Sequence, residues 1–152
     1  MLRRAITAGV MLLLVVSLTA CSTIDTFVIV NSSTSELEVR YRIRRYRDWS
    51  LTADTLPLRP AVLPADEVDQ QTRWHDLSNS EFDVDSQARI VTVKLMPGYA
   101  LRVARLNLRD NAKAELAIDE LFLNGASGQT HLEGRNVQKS FTPGRTYILQ
   151  YQ

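Results

Sequence analysis

One cysteine, two histidines and 7% aromatic residues are little material for chemistry in a chain of 152 residues. A single cysteine rules out an intrachain disulfide, so the fold is held by its hydrophobic core without covalent staples. With His75 and His131 as the only histidines, there is no Cys-His cluster for zinc and no H-E-x-x-H pair. No G-x-S-x-G turn is there to expose a nucleophilic serine. A charge excess is lacking as well: 18 basic against 17 acidic side chains leave no electrostatic footprint for nucleic acid. No run reaches the ~20 consecutive apolar residues needed to cross a ~30 Å hydrocarbon core. Internal repeats and low-complexity tracts are also missing.

What is present begins at the N-terminus. Arg3-Arg4 precede an apolar stretch from Ala5 to Ala20, densest at Val10-Met11-Leu12-Leu13-Leu14-Val15-Val16, and Leu18-Thr19-Ala20-Cys21 follows. A short positive end, an apolar core and small residues before a cut are the marks of a secretory signal. The stretch is diluted by Thr7, Gly9, Ser17 and Thr19, which suits a signal better than a span. Residues 18 to 21 resemble the lipobox of bacterial lipoproteins. That resemblance implies cleavage between Ala20 and Cys21, with lipid on the Cys21 sulfur and amine. Two or three chains, at ~0.8 kcal/mol per buried methylene, anchor a protein stably where one does so only marginally. The competing reading is an ordinary cleaved signal beside a chance cysteine. Ser22, rather than aspartate, follows Cys21; by the same resemblance this favours the periplasmic side of the outer membrane over the inner membrane.

The expected organisation is therefore a signal peptide over 1–20, a lipidated tether over 21–26 and one domain over 27–152. Loss of Arg3 and Arg4 with the leader leaves 16 basic and 17 acidic side chains, moving the formal charge from +1 to −1. A chain of this length can bury one sizeable core.

The remaining sequence alternates apolar and polar residues in short runs broken by turn formers, the pattern of an all-β sandwich or barrel. Phe27-Val28-Ile29-Val30 reads as a compact strand closed by Asn31-Ser32-Ser33. From Glu36 to Arg47, Leu37, Val39, Tyr41 and Ile43 share one face, while Glu38, Arg40, Arg42 and Arg44 share the other. Ile90–Met96 and Tyr99–Leu108 read as a hairpin turned at Pro97-Gly98, with a bulge near Ala104-Arg105. Residues 116 to 123 are assigned to a strand, although the alanines, leucines and glutamates of 111–124 also favour helix. Tyr147, Leu149 and Tyr151 mark a closing strand after Pro143-Gly144. The stretch from Trp49 to Gln87, with Pro57, Pro60 and Pro64, is expected to be a long irregular excursion holding one short strand. The fold class is all-β, an immunoglobulin-like or transthyretin-like sandwich of about seven or eight antiparallel strands.

Four groups of residues are candidates for function. Arg40, Arg42 and Arg44 point the same way on a strand at ~6–7 Å intervals. Such a row can grip phosphates or carboxylates bidentately, or else pair across strands with Glu36, Glu38, Glu115 or Asp119. Glu81, Asp83 and Asp85 offer oxygens but lack the glycine-pinned loop and later glutamate of a calcium site, and also read as an acidic strand edge. His75, in Arg73-Trp74-His75-Asp76, is half of a nucleophile–base pair if a serine lies beside it. Trp49 and Trp74 form either a sugar-stacking surface or core contacts.

The expected function is a non-catalytic binding or scaffolding module, tied to a bacterial envelope membrane by lipid on Cys21. It would carry no cofactor beyond that lipid, bind no nucleic acid, and face an anionic lipid or envelope protein through Arg40, Arg42 and Arg44. In outline it is similar to small sandwich lipoproteins that dock secretion machines to the outer membrane, on the strength of the lipobox, the basic second strand and the Pro97-Gly98 turn. The alternatives are a periplasmic hydrolase or carbohydrate-active protein using the Trp49–Gln87 excursion as its cleft, and an inhibitor of a cell-wall hydrolase.

Overall fold

A computed structural model of the chain describes residues 23–44, 51–70, 73–108, 115–144 and 146–152. Within these residues, ten strands form two five-stranded sheets packed as an all-β sandwich. In chain order they are β1 (Thr23–Asn31), β2 (Leu37–Ile43), β3 (Ala61–Pro64), β4 (His75–Asp76), β5 (Phe82–Asp85), β6 (Ile90–Leu95), β7 (Tyr99–Leu108), β8 (Ile118–Gly125), β9 (Gly128–Glu133) and β10 (Tyr147–Tyr151). A 3-10 segment, Ala65–Gln70, follows β3, and one short helix, α1 (Arg135–Lys139), lies between β9 and β10. One sheet runs β10-β1-β7-β3-β4 and the other β5-β6-β2-β8-β9.

The period-two pattern of β2 is obeyed: Leu37, Val39, Tyr41 and Ile43 are buried, and Arg40 is exposed. Those side chains meet Phe27, Ile29, Leu101 and Val103 of the facing sheet in the main core. Complete burial of a side chain such as Phe27 is worth ~1.5–3 kcal/mol. The uninterrupted apolar run of β1 has its own cause. Phe27 and Ile29 face the core, while Val28 and Val30 face outward into a second cluster with Ala100, Ala65, Val68, Trp74 and Ile148. Trp74 thus packs against β1 from outside; Trp49 lies outside the described residues.

Several expectations are corrected. There are ten strands rather than seven or eight, and β1 pairs with β10 in parallel, Phe27 opposite Tyr147. The Trp49–Gln87 stretch holds three short strands, β3, β4 and β5, where one was expected. Two of its three prolines sit at the ends of a strand: Pro60 immediately precedes β3 and Pro64 closes it. The Pro97-Gly98 turn does not make a hairpin. It carries the chain from β6 in one sheet to β7 in the other, with Tyr99 N–H donating to the Met96 carbonyl at 3.2 Å and Gly98 at φ 74°. Leu95 and Leu101 both point into the core, and that requires the two strands to face each other rather than lie side by side. The bulge sits slightly earlier than expected: Phe27 pairs with Ala104 and Val28 with Arg102, leaving Val103 as the extra residue. The first strand opens at Thr23 rather than Phe27, so Ser22 alone separates it from Cys21.

Residues 118 to 125 are strand, as the 116–123 assignment anticipated. At the crossing from β1 to β2, Asn31 is fully buried. Its amide donates to the carbonyls of Ser35 (2.8 Å) and Leu95 (2.9 Å), and its oxygen accepts from the Ser33 N–H and hydroxyl. Every polar valence of this side chain is used to pin the β1–β2 link to the end of β6.

Candidate functional site

The outer face of the β5-β6-β2-β8-β9 sheet carries the arginine row. β2 pairs with β8 so that Arg40 is opposite Phe122 and Arg42 opposite Glu120. β8 turns into β9 through Ala126-Ser127, a two-residue loop closed by Gly125 and Gly128, and this register sets Phe122 opposite His131. One cross-sheet row thus reads Thr92, Arg40, Phe122, His131.

The three arginines meet different fates. Arg42 donates from Nη1 to Glu120 at 2.6 Å. Arg44 donates from Nε to Asp119 at 2.9 Å and from Nη1 to Glu115, and these bonds raise its already high pKa. Arg40 has no carboxylate within ion-pairing distance among the described residues. Its guanidinium lies 5.5 Å from the centroid of the Phe122 ring. The opposite neighbour of that ring in the register is His131, stacked at 4.1 Å with an interplanar angle of 11°. His131 Nε2 is in turn 3.1 Å from Glu133. The three guanidinium groups therefore do not form one open row. Of the acidic partners read from the sequence, Glu115 and Asp119 serve Arg44, Glu36 approaches Lys94 at 3.7 Å, and Glu120 was missed.

A depression of about 360 Å³ opens beside the stack, lined by Glu38, Arg40, Phe122, Asn124, Gln129 and His131 among others. That volume falls within the ~300–1,000 Å³ of small-ligand sites. The chemistry converging there is a guanidinium, a carboxylate, two amides and an imidazole, which suits a polar ligand with an anionic group at Arg40. Strand direction fixes where this site lies. β1 runs from Thr23 to the Asn31 corner, and β2 runs back from Leu37, beside Leu95, to Ile43, beside Ile118. Arg44, Glu115 and Asp119 thus share the end at which β1 starts, whereas Asn124 and Gln129 approach the opposite end.

The other candidates are dispersed. His75 is exposed on the two-residue edge strand β4. The Ser78 hydroxyl donates to Glu81 at 2.6 Å rather than to His75. The same bonds from Ser78 hold Glu81 below the usual carboxylate range, with a smaller push from His75. Asp83 and Asp85 are exposed on β5, an edge strand, and Asp85 accepts from the N–H groups of Gln87 and Ala88. Among the described residues no group of three His, Cys, Asp or Glu side chains is placed to hold a metal. Ala20 and Cys21 lie outside the described residues. Phe122 and His131 were not singled out together in the sequence, although two glycines bracketing two residues would have given their register.

No family model, no curated protein and no solved structure matches this chain.

Proposed function

We propose that the chain is a non-catalytic binding or scaffolding module of a bacterial envelope, lipid-anchored through Cys21 at the periplasmic face of the outer membrane. Its recognition surface is the Arg40–Phe122–His131 face and the depression beside it. The observation that carries this reading is the contrast within the arginine row: Arg42 and Arg44 are met by acids, whereas Arg40 has no acid partner among the described residues and lies over an aromatic ring.

Anchoring at Cys21 supports a direction for that surface. With Ser22 alone before β1, the Arg44 end of the sandwich would lie against the membrane, its charge offset by Glu115 and Asp119. A bare arginine near anionic headgroups gains ~1 kcal/mol, and ion pairing forfeits most of it. Arg40 and the depression beyond it would face away from the anchoring leaflet, towards an anionic envelope protein. Photo-crosslinking in living cells tests this. A photoreactive side chain at position 40 is expected to trap a protein adduct that the same group at position 44 does not. Equal trapping at both positions, or at neither, would overturn the proposal.

A further inference from the structure

The four sheet edges are protected unequally. β4 is two residues long, and β5 is four residues carrying Asp83 and Asp85. β10 is closed on its free side by Thr142, whose N–H and carbonyl both bond to Ile148, at 2.7 and 3.1 Å. β9 is the least defended: it is longer than β4 and β5, no backbone bridge closes its free side among the described residues, and its one acid, Glu133, lies 3.1 Å from His131 of the same strand. Its six residues, Gly128–Glu133, hold no proline or lysine and are exposed apart from Leu132, and among the described residues no strand pairs with the side facing away from β8. Sequences normally blunt such an edge, because its free N–H and C=O groups template another strand.

The register of the hairpin states which groups are free. Gly125 and Gly128 close a two-residue loop and form a hydrogen-bonded pair, so Gly128, Thr130 and Leu132 direct their backbone groups to β8. Gln129, His131 and Glu133 direct theirs to the open edge. The close stacking of Phe122 on His131 fits this alternation, since pairs without hydrogen bonds bring side chains nearest.

We propose that β9 is a self-pairing edge: two copies of this chain join β9 to β9, antiparallel, with Leu132 on the two-fold axis. Antiparallel self-pairing that uses the outward groups allows few registers. Centring on His131 would oppose two imidazoles, and centring on Thr130 would set Gln129 against His131. Centring on Leu132 sets His131 of each copy against Glu133 of the other, and the two partly buried leucines against each other. Charge complementarity and apolar contact therefore select the same register. The contact is isologous, closes at two copies, and joins the two β9-bearing sheets into one continuous sheet of ten strands. A single strand edge buries less than the ~1,200 Å² of a stable interface, so the dimer depends on concentration. This inference does not rest on lipidation or on a ligand at Arg40.

Cysteine cross-linking of the full chain carrying Cys21→Ser, in detergent, reads the register directly. Thr130→Cys, His131→Cys and Leu132→Cys each introduce one thiol. In the proposed pairing, the two Leu132 positions form a pair without hydrogen bonds, ~4.5 Å apart at Cα, within the 4.4–6.8 Å a disulfide accepts. Mild oxidation is expected to give disulfide dimers at position 132 at least about tenfold faster than at 130 or 131. Fastest coupling at 130 or 131, or none at any of the three, overturns the proposal. Sedimentation of the thiol-free Cys21→Ser chain provides a test that leaves Leu132 intact. Concentration-dependent dimerisation abolished by His131→Pro, which removes an outward N–H and spares the bonds to β8, supports self-pairing; a monomer at every concentration overturns it.

Discussion

Asn31 and Tyr41 show how single buried polar groups set conditions on this core. Asn31 has no solvent exposure and four hydrogen-bond contacts, so truncation takes a buried donor from the Leu95 carbonyl, while the Ser35 carbonyl keeps the Ser33 hydroxyl at 3.0 Å. At ~1–3 kcal/mol for an unsatisfied buried group, Asn31→Ala is expected to lower stability by that amount. In urea titrations this reads as a lower midpoint at unchanged slope. Tyr41 is almost fully buried, and burial pushes its phenol far above the ordinary value of 10.0. The folded state keeps the proton after the unfolded state has lost it, so the linkage term is intact below pH ~10 and is eroded as pH rises beyond it. Stability measured from pH 8 to 11 should fall above pH ~10, and Tyr41→Phe should flatten that fall. An equally steep fall in the variant would remove Tyr41 as its source.

Between strands, the β8–β9 hairpin is locked to the other sheet by one side chain. Tyr151 of β10 donates from Oη to the Gly128 carbonyl at 2.9 Å and accepts from Ser127 at 2.7 Å. A Cβ on Gly125 would stand 2.8 Å from Tyr151 Cε1 and Oη. Overpacking of this kind costs ~1–3 kcal/mol, so Gly125→Ala should destabilise by that amount. It should cost much less in a Tyr151→Leu background, where the ring is gone; additive losses would show that the clash is not the cause. Arg44 is the opposite case. Despite contacts with Asp119 and Glu115, its side chain is 38% exposed, and Arg44→Gln is expected to cost under ~1 kcal/mol by the same titration. Elements of this size were readable in the chain to the extent that they follow one period. β2 announces itself because one face is core and the other is wet; β8 does so less clearly, since its buried residues change parity between Ile118 and Leu121 and Phe122 faces outward. β3, β4 and β5 do not: at two to four residues each, their periodicity is too short to separate from loop, and β3 finds its β7 partner about 40 residues along the chain. The Pro97-Gly98 turn is legible in the sequence, whereas the sheet change that it makes is not. A tight turn fixes local φ and ψ, whereas whether its strands pair or face each other is decided by core packing. The candidate site was legible only in part for the same reason. Arg40, Arg42 and Arg44 share a face by periodicity alone, yet which of them is neutralised depends on Glu120, Asp119 and Glu115, more than 70 residues away in sequence.

At the scale of the whole molecule, two layers of five strands are held by core packing alone, with a membrane-proximal end and a distal end if the chain hangs from Cys21. The Thr23 start of β1 makes that distinction sharp, because one intervening residue leaves the domain little freedom to turn over. Substituting the proposed attachment residue should therefore change location without changing fold. Cys21→Ser is expected to move the protein from the membrane to the soluble fraction on cell fractionation, with an unaltered far-UV circular dichroism spectrum; retention in the membrane would mean that something other than lipid holds it there. The most direct measurement is the intact mass of the chain purified from bacterial membranes, followed by sequencing of its N-terminal peptide. Loss of residues 1–20 with acyl groups on both the sulfur and the amine of Cys21 is the expected result. A free thiol at Cys21, or a leader still attached, would contradict it.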